Sequence, residues 1–493
     1  MNITEFMPFA VLLPLIAAPV VALLPGRLAP WIFAWLSAAG ALLIAALTLI
    51  AVFDGEILRY AFGNWPAPIG IEYRVDAASG FVALLITAMA TLMLGWGRAS
   101  VNREVPERQG AFYALFLLAF AGLMGITLTG DIFNVFVFLE ISSLATYALI
   151  AHGRDRRALL AAFRYLIMGT VGATFLLIGI GFLYIMTGTL NMMDLAERLP
   201  AVGESRVLQV GLAFIVVGMA LKLALFPLHL WLPNAYTFAP SVVSAFIAAT
   251  ATKVALYVLL RFIFTVFAPE YSFTALPLAA AFTVLAIAAM FAGSWMALFQ
   301  DNLKRLLAYS SVAQVGYMVL GVSLVTVMGL TASFLHLFNH GLMKGALFVA
   351  AGIIFHQTGS VKVADMRGLG RVMPWTFTGF ALAGVSLIGI PPTAGFISKW
   401  ALISAAIDAD QTWMVALILI SSLMALAYIA HIIEVAWMQP RPKGAPVVKE
   451  ASAELLLPLW LLVAANFYFG IDTRLTLGGA TAAAEALLGG GGL

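Results

Sequence analysis

Long apolar runs separated by short polar joints recur from one end of the 493-residue chain to the other. Hydrocarbon about 30 Å thick takes roughly 20 apolar residues per helical crossing. Runs of that kind lie near 6–25, 30–53, 77–97, 110–128, 131–151, 160–187 and 207–226. They continue near 240–267, 274–298, 305–324, 328–356, 374–405, 412–437 and 453–470. The pattern therefore predicts an all-α polytopic membrane protein with about fourteen crossings. The first run, FMPFAVLLPLIAAPVVALL, follows Glu5 and not a basic segment, so it is expected to be a membrane helix and not a cleaved signal. Residues 54–76 form the longest early connection, QPRPKGAPVVKE (439–450) reads as a polar linker, and GGGG (489–492) ends a short tail expected to be mobile.

Two of the runs carry their own interruptions. The seventh leads into LKLALFPLHLWLPNAYTFAP (221–240), with Pro227, Pro233 and Pro240, and the twelfth contains LIGIPPTAGFISKW (387–400), with Pro391 and Pro392. Proline removes a backbone donor and clashes with the preceding turn. Carbonyls freed in this way at membrane depth are tolerated where they line a polar cavity or are buried in protein.

The breaks fall in corresponding places of an internal repeat. LIMGTVGATFLLIGIGFLYIMTGTLNMMD (166–194) lies over LFNHGLMKGALFVAAGIIFHQTGSVKVAD (337–365) at an offset of 171, pairing Thr187-Gly188 with Thr358-Gly359 and Asp194 with Asp365. Upstream, an offset of 170 places Asp131 on Asp301 and Tyr147 on Tyr317. Five crossings separate equivalent points, so the copies are expected to be inverted in the membrane, a transporter architecture with sites near the midplane. The expected division is 1–108 (helices 1–3), 109–268 (first repeat, helices 4–8), 269–438 (second repeat, helices 9–13) and 439–493 (linker, helix 14 and tail).

Composition adds little to the class and more to the orientation. The chain is 63% hydrophobic and 10% charged, with a mean hydropathy of +1.03 and no cysteine. Disulfides, thiolate-held iron–sulfur clusters and zinc–thiolate sites are thereby excluded within it, and a pI near 9.0 reflects basic loops, not nucleic-acid binding. With the N-terminus outside, the inward positions hold Arg27; Arg98, Arg103 and Arg108; Arg154, Arg156, Arg157 and Arg164; Lys304 and Arg305; Lys362, Arg367 and Arg371; and Arg441, Lys443 and Lys449. The outward positions hold only Arg59, Arg74, Arg198, Arg206, Arg261 and Arg474. The positive-inside rule thus places both termini on the outer side.

Lys222, Lys253, Lys344 and Lys399 remain, all inside expected helices. Each buried charge costs roughly 2.5–3.5 kcal/mol on insertion scales, and Glu140 adds a fifth. Glu140 lies nine residues from Asp131, too deep for its short side chain to reach water, among Phe133, Phe136, Val137, Leu144 and Tyr147. It needs a cation from another helix, and Lys222 is the best placed in its repeat. Lys253 shares a helix face with Thr250 and Tyr257. His336, His340 and Lys344 are spaced by four and line one side of the eleventh helix. Lys399 follows the double-proline break. His229, His431 and Glu434 lie nearer helix ends and are secondary candidates. Structural ion pairs, or lysines reaching for the headgroups, are the bland alternatives. Desolvation lowers an amine's proton affinity and a nearby carboxylate restores it, while histidine titrates near neutrality without help. A buried row of such groups is therefore a proton path. No carboxylate or thiol cluster accompanies the histidines, which argues against metal or haem.

GDIFNVFVFLE, ALKLALFPLHLWLPNAYTFAPSVVSAF, FLHLFNHGLMKGALF and GIPPTAGFISKW resemble signature stretches of the antiporter-like subunits shared by Mrp-type Na+/H+ antiporters and respiratory complex I. The likeness covers nearly the whole chain, and its DIFNVFVFLE pattern and length most resemble the D-subunit branch of the Mrp complexes. It implies a proton pathway through Glu140, Lys222, Lys253, His336, Lys344 and Lys399, with Glu140 and Lys222 a coupled pair and Lys399 terminal. It further implies a bacterial inner-membrane hetero-oligomer that moves protons and Na+, with no cofactor or metal in this chain. The chain stops soon after its last crossing, without the long lateral helix of the largest complex I member, and carries Lys399 where one member of similar size has glutamate. The alternative is a proton-pumping subunit of a complex I-like oxidoreductase or membrane-bound hydrogenase. A self-sufficient solute carrier is disfavoured, because no substrate-sized polar pocket is evident in the sequence.

Overall fold

The computed structural model describes residues 3–53, 55–203 and 205–488. Its first half contains α1 (Ile3–Leu23), α2 (Leu28–Val52), α3 (Ala77–Glu104), α4 (Gln109–Leu128), α5 (Ile132–Ala151), α6 (Arg157–Thr187), α7 (Met192–Val202), α8 (Arg206–Leu223), α9 (Leu232–Phe238) and α10 (Ser241–Val266). Its second half contains α11 (Pro269–Ala275), α12 (Leu278–Leu298), α13 (Leu303–Ser323), α14 (Val327–Thr358), α15 (Pro374–Ile388), α16 (Ala394–Asp408), α17 (Trp413–Trp437), α18 (Ala453–Ile471) and α19 (Arg474–Leu487). Thirteen of these, among the described residues, are long and apolar enough to cross a membrane. The expected crossing at 374–405 is two helices of 15 residues each, α15 and α16. At 1.5 Å per residue each reaches only about 22 Å, so neither spans alone.

The least apolar crossings, α13 and α14, are buried throughout their most apolar stretches, as is nearly all of α10, whereas in the corresponding stretches of α1, α2, α6, α12, α17 and α18 only 33–39% of the residues are buried. A helix carrying polar groups at membrane depth is viable where protein covers it.

The repeat is visible as one junction built twice. Ile132 N–H donates to Leu190 O at 2.9 Å and Met192 N–H to Gly130 O at 2.8 Å, and 171 residues later Leu303 N–H donates to Val361 O and Val363 N–H to Asp301 O, both at 2.8 Å. α6 and α14 each end on a left-handed glycine, Gly188 and Gly359, where a Cβ would be strained. The Asp131 side chain caps α5 by accepting from Asn134 N–H, and Asn302 caps α13 by accepting from Arg305 N–H. The structural counterpart of Asp131 is therefore Asn302, one residue beyond the Asp301 that the sequence alignment chose. Either residue serves at a cap, so identity was a poor guide to register.

Three connections differ from expectation. Residues 54–76 contain an antiparallel hairpin of β1 (Leu58–Ala61) and β2 (Glu72–Val75). The loop after α6 folds into α7, whose first turn Asn191 caps while its amide donates to Glu72 at 2.8 Å. The tail over 474–487 is a helix packed against α3 and α14. Its small residues permit that approach, since a Cβ on Gly479 would come within 2.7 Å of the Phe81 ring. The GGGG stretch lies outside the described residues.

Candidate functional site

Two helix breaks set the geometry. α8 ends at Leu223, Ala224 adopts φ +59°, and the chain passes Pro227 before α9. The Trp231 indole N–H takes up the Leu221 carbonyl at 3.0 Å. α15 ends at Ile388, and Gly389 turns with φ +90°, a conformation that favours glycine. Here the freed carbonyls of Leu387 and Ile388 accept from Lys399 Nζ at 3.1 and 2.9 Å, and Ser422 Oγ accepts at 2.9 Å. Lys222 precedes its break and Lys399 follows its own, so each repeat brings one amine to the broken region from opposite sides.

Lys222 Nζ lies 3.9 Å from Glu140 Oε1 and donates to Ser143 Oγ at 2.9 Å. Among the described residues it alone of the four lysines has a carboxylate within 4 Å. Glu140 is not enclosed. Its side chain is 25% exposed, midway along α5, beside the exposed Phe133, Val137 and Leu144. The sequence read its depth along the helix correctly but not its position in the bundle, which is the lateral surface.

The other amines are enclosed and meet uncharged acceptors. Lys253, fully buried on α10, donates to the Ala248 carbonyl and, at 3.4 Å, to Thr252 Oγ1. Lys344, fully buried on α14, donates to Leu307 O at 2.9 Å and to Ser310 Oγ. His336 bridges Gln314 Oε1 through Nε2 and Ser398 Oγ through Nδ1, both at 2.9 Å. It also stacks on His340 with ring centroids 5.9 Å apart. Tyr317 joins these to Lys399: its ring centroid is 4.7 Å from the amine and 5.6 Å from the His336 ring. Both ring nitrogens of His340 are buried without a protein hydrogen-bond partner. An amine in these surroundings gains hydrogen bonds but no neutralising charge, the condition in which it can give up a proton.

The secondary candidates divide. His229 lies buried at the first break, stacked on Phe226. His431 and Glu434 pair with each other at 3.4 Å on the exposed side of α17, and Glu434 also accepts from Gln439 at 2.9 Å. The contacts of that pair do not extend to the enclosed amines. Two cations counted among the outward and inward surface positions prove to be buried. Arg261 lies inside α10, where it donates to Asp76 and, at 2.9 Å, to Tyr257 Oη. Lys304 lies within α13 and donates to Ala239 O at 3.2 Å and Ser241 Oγ at 3.1 Å. Both sit near helix ends, where hydropathy along the chain cannot tell a loop charge from an enclosed one. Asp76, just before α3, is pushed up by burial, but Arg261 overrides that and holds its carboxyl below the usual carboxylate range. The carboxylates Asp76 and Glu104 escaped the sequence reading for the same reason.

The chain matches the family described as NADH:quinone oxidoreductase/Mrp antiporter, TM over residues 129–425. It is 43% identical over 468 residues to the N subunit of the NADH-quinone oxidoreductase of Desulforudis audaxviator, covering 92% of this chain and 93% of that one. It is 32% identical over 431 residues to the D subunit of the Na(+)/H(+) antiporter of Alkalihalophilus pseudofirmus, covering 87% and 86%. Among solved structures it is similar to a chain of the Mrp complex from Dietzia sp. DQ12-45-1b, with a TM-score of 0.89 at 26% identity, over 99% of this chain and 98% of that one. Fourteen apolar runs, two proline-broken segments and four buried amines thus have their explanation in common descent: the chain belongs to the NADH:quinone oxidoreductase/Mrp antiporter family of transmembrane subunits.

Proposed function

We propose that this chain is the proton-conducting subunit of a multisubunit monovalent cation/proton antiporter in a bacterial cytoplasmic membrane, with both termini on the outer side. The observation that carries the reading is the set of four buried amines in which only Lys222 has an acidic partner among the described residues. In this reading an approach or retreat of Glu140 changes the proton affinity of Lys222, and the change in charge biases Lys253, Lys344 and His336 in turn, ending at Lys399. The partly exposed Glu140 suits contact with a neighbouring subunit, which would give the partner complex a hold on the first amine. The likeness to antiporter D subunits supports Na+ as the exchanged cation.

A second reading, a subunit of a redox-driven proton pump, is favoured by the 43% identity to the N subunit of an oxidoreductase. One experiment separates the two. Vesicles carrying the complete native complex should exchange Na+ for H+ when supplied with an ion gradient and no electron donor, and Lys253→Ala should abolish that exchange. Proton movement only during oxidation of NADH, ferredoxin or hydrogen would replace the antiporter reading with the redox one. Normal transport by an assembled Lys253→Ala complex would remove the conducting role from this chain.

A further inference from the structure

The amines and histidines need a route to an aqueous face, and the sequence offered none. At the N-terminal ends of α10 and α13 and the C-terminal end of α3, three residues meet. Glu104, the last residue of α3, accepts from Ser100 Oγ at 2.6 Å and from the backbone N–H of Ser241 at 3.0 Å. Ser241 opens α10, and its hydroxyl receives the Lys304 amine at 3.1 Å. Glu104 is 6% exposed, Lys304 3% and Ser241 0%. All three belong to the face that carries most of the basic loops.

We propose that Glu104, Ser241 and Lys304 form the uptake path that delivers protons from this face to Lys344, an inference that rests on the conducting role proposed above.

Both ends of the path are in place. Toward the surface, half-buried His356 at the end of α14 lies within electrostatic reach of Glu104, and the neighbouring Phe355 ring covers Lys304 with its centroid 5.5 Å from the amine. Toward the interior, Lys304 lies one turn before Leu307 on α13, and the Leu307 carbonyl is the acceptor of Lys344 Nζ at 2.9 Å. A proton taken by the Glu104 carboxylate passes to a neutral Lys304 amine, which the Ser241 hydroxyl holds beside it. Glu104 returns to its anion at the N-terminus of α10, where exposed N–H groups favour negative charge, and Lys304 becomes the ammonium that then supplies Lys344. A purely structural clamp would gain nothing from a group that can release its proton. Arg261, at the other end of α10, is such a clamp: a guanidinium that stays charged, tied to a carboxylate.

The test uses the assembled complex in vesicles, driven by an ion gradient or, should the redox reading hold, by its electron donor. Flux is expressed per assembled complex. Glu104→Gln and Lys304→Met are expected to slow proton flux at least tenfold and to raise its solvent deuterium isotope effect, a change that a packing role would not produce. Lys304→Arg keeps the charge but cannot release the proton, so it should be as slow as Lys304→Met, whereas Glu104→Asp should retain most of the flux. Should Lys304→Met fail to assemble, Lys304→Arg decides. Wild-type flux in Glu104→Gln and Lys304→Arg, with Lys253→Ala inactive alongside, overturns the uptake path and leaves the conducting role standing. Wild-type flux in Lys253→Ala as well overturns both.

Discussion

Under the conducting role proposed above, Lys399 is where an amine, and not merely a positive charge, matters most at the second break. Its three acceptors are two backbone carbonyls and a serine hydroxyl, all neutral. They hold an ammonium by hydrogen bonds while leaving the neutral amine accessible. A guanidinium would satisfy the same carbonyls and never give up its proton. In the transporting complex, Lys399→Arg is therefore expected to assemble normally and lose at least nine-tenths of gradient-driven proton flux, close to Lys399→Ala. Flux in the arginine variant equal to wild type would show that Lys399 holds the break closed without passing a proton.

The broken segments depend on close approach between short helices. Gly395, in the first turn of α16, faces the end of α15, and a Cβ there would stand 1.7 Å from the Ser386 carbonyl oxygen. Ser386 Oγ in turn accepts from Gly395 N–H at 3.2 Å and donates to Asn466 of α18 at 2.8 Å, so displacing one helix disturbs three. Overpacking of this kind costs about 1–3 kcal/mol. Gly395→Ala should lower the apparent melting temperature of the detergent-solubilised complex by several degrees. Gly181, on α6, has nothing within 4 Å of its would-be Cβ, so Gly181→Ala should leave stability unchanged or raise it slightly, as alanine usually does in a helix. Equal loss in both variants would argue against a specific contact at the break.

Across the whole molecule, α3 and α10 run antiparallel and are tied at both ends, by Glu104 to Ser241 at one and by Asp76 to Arg261 at the other. The second tie is a buried ion pair, and removing one partner of such a pair costs about 3–5 kcal/mol, less here to the extent that Arg74, 3.6 Å from the other carboxylate oxygen of Asp76, compensates the charge. Arg261→Met is accordingly expected to destabilise strongly, and Asp76→Asn combined with Arg261→Met to recover much of that loss, measured by thermal unfolding of the purified complex. A double variant as unstable as the single one would mean that the pair contributes through shape and not charge. Because Asp76 is held below the usual carboxylate range, the stabilisation from this pair is complete at neutral pH. It is lost only as acid drives the pH through the depressed value.

The sequence alone determined the class, the approximate number of crossings and the positions of the two principal breaks. Each follows from local chemistry: hydrocarbon demands some twenty apolar residues per crossing, and proline removes a backbone donor and favours a break, although Pro14, Pro19 and Pro458 stand inside continuous helices. It also singled out the four enclosed lysines, because a charge in mid-helix contrasts with its neighbours along the chain. What tertiary structure decided is which side of a helix is covered and by what. Glu140 and Lys253 both lie in mid-helix, yet one reaches the lateral surface and the other is wholly enclosed. Arg261 and Lys304 looked like surface cations because they lie near helix ends, and Asp301 looked like the partner of Asp131 because identity was matched instead of the cap. The tail at 474–487, poor in large side chains, became a packed helix because its glycines and alanines fit against Phe81 and α14. Apolar periodicity reports the depth of a residue along a span, and only the packing of helices from distant parts of the chain fixes its neighbours.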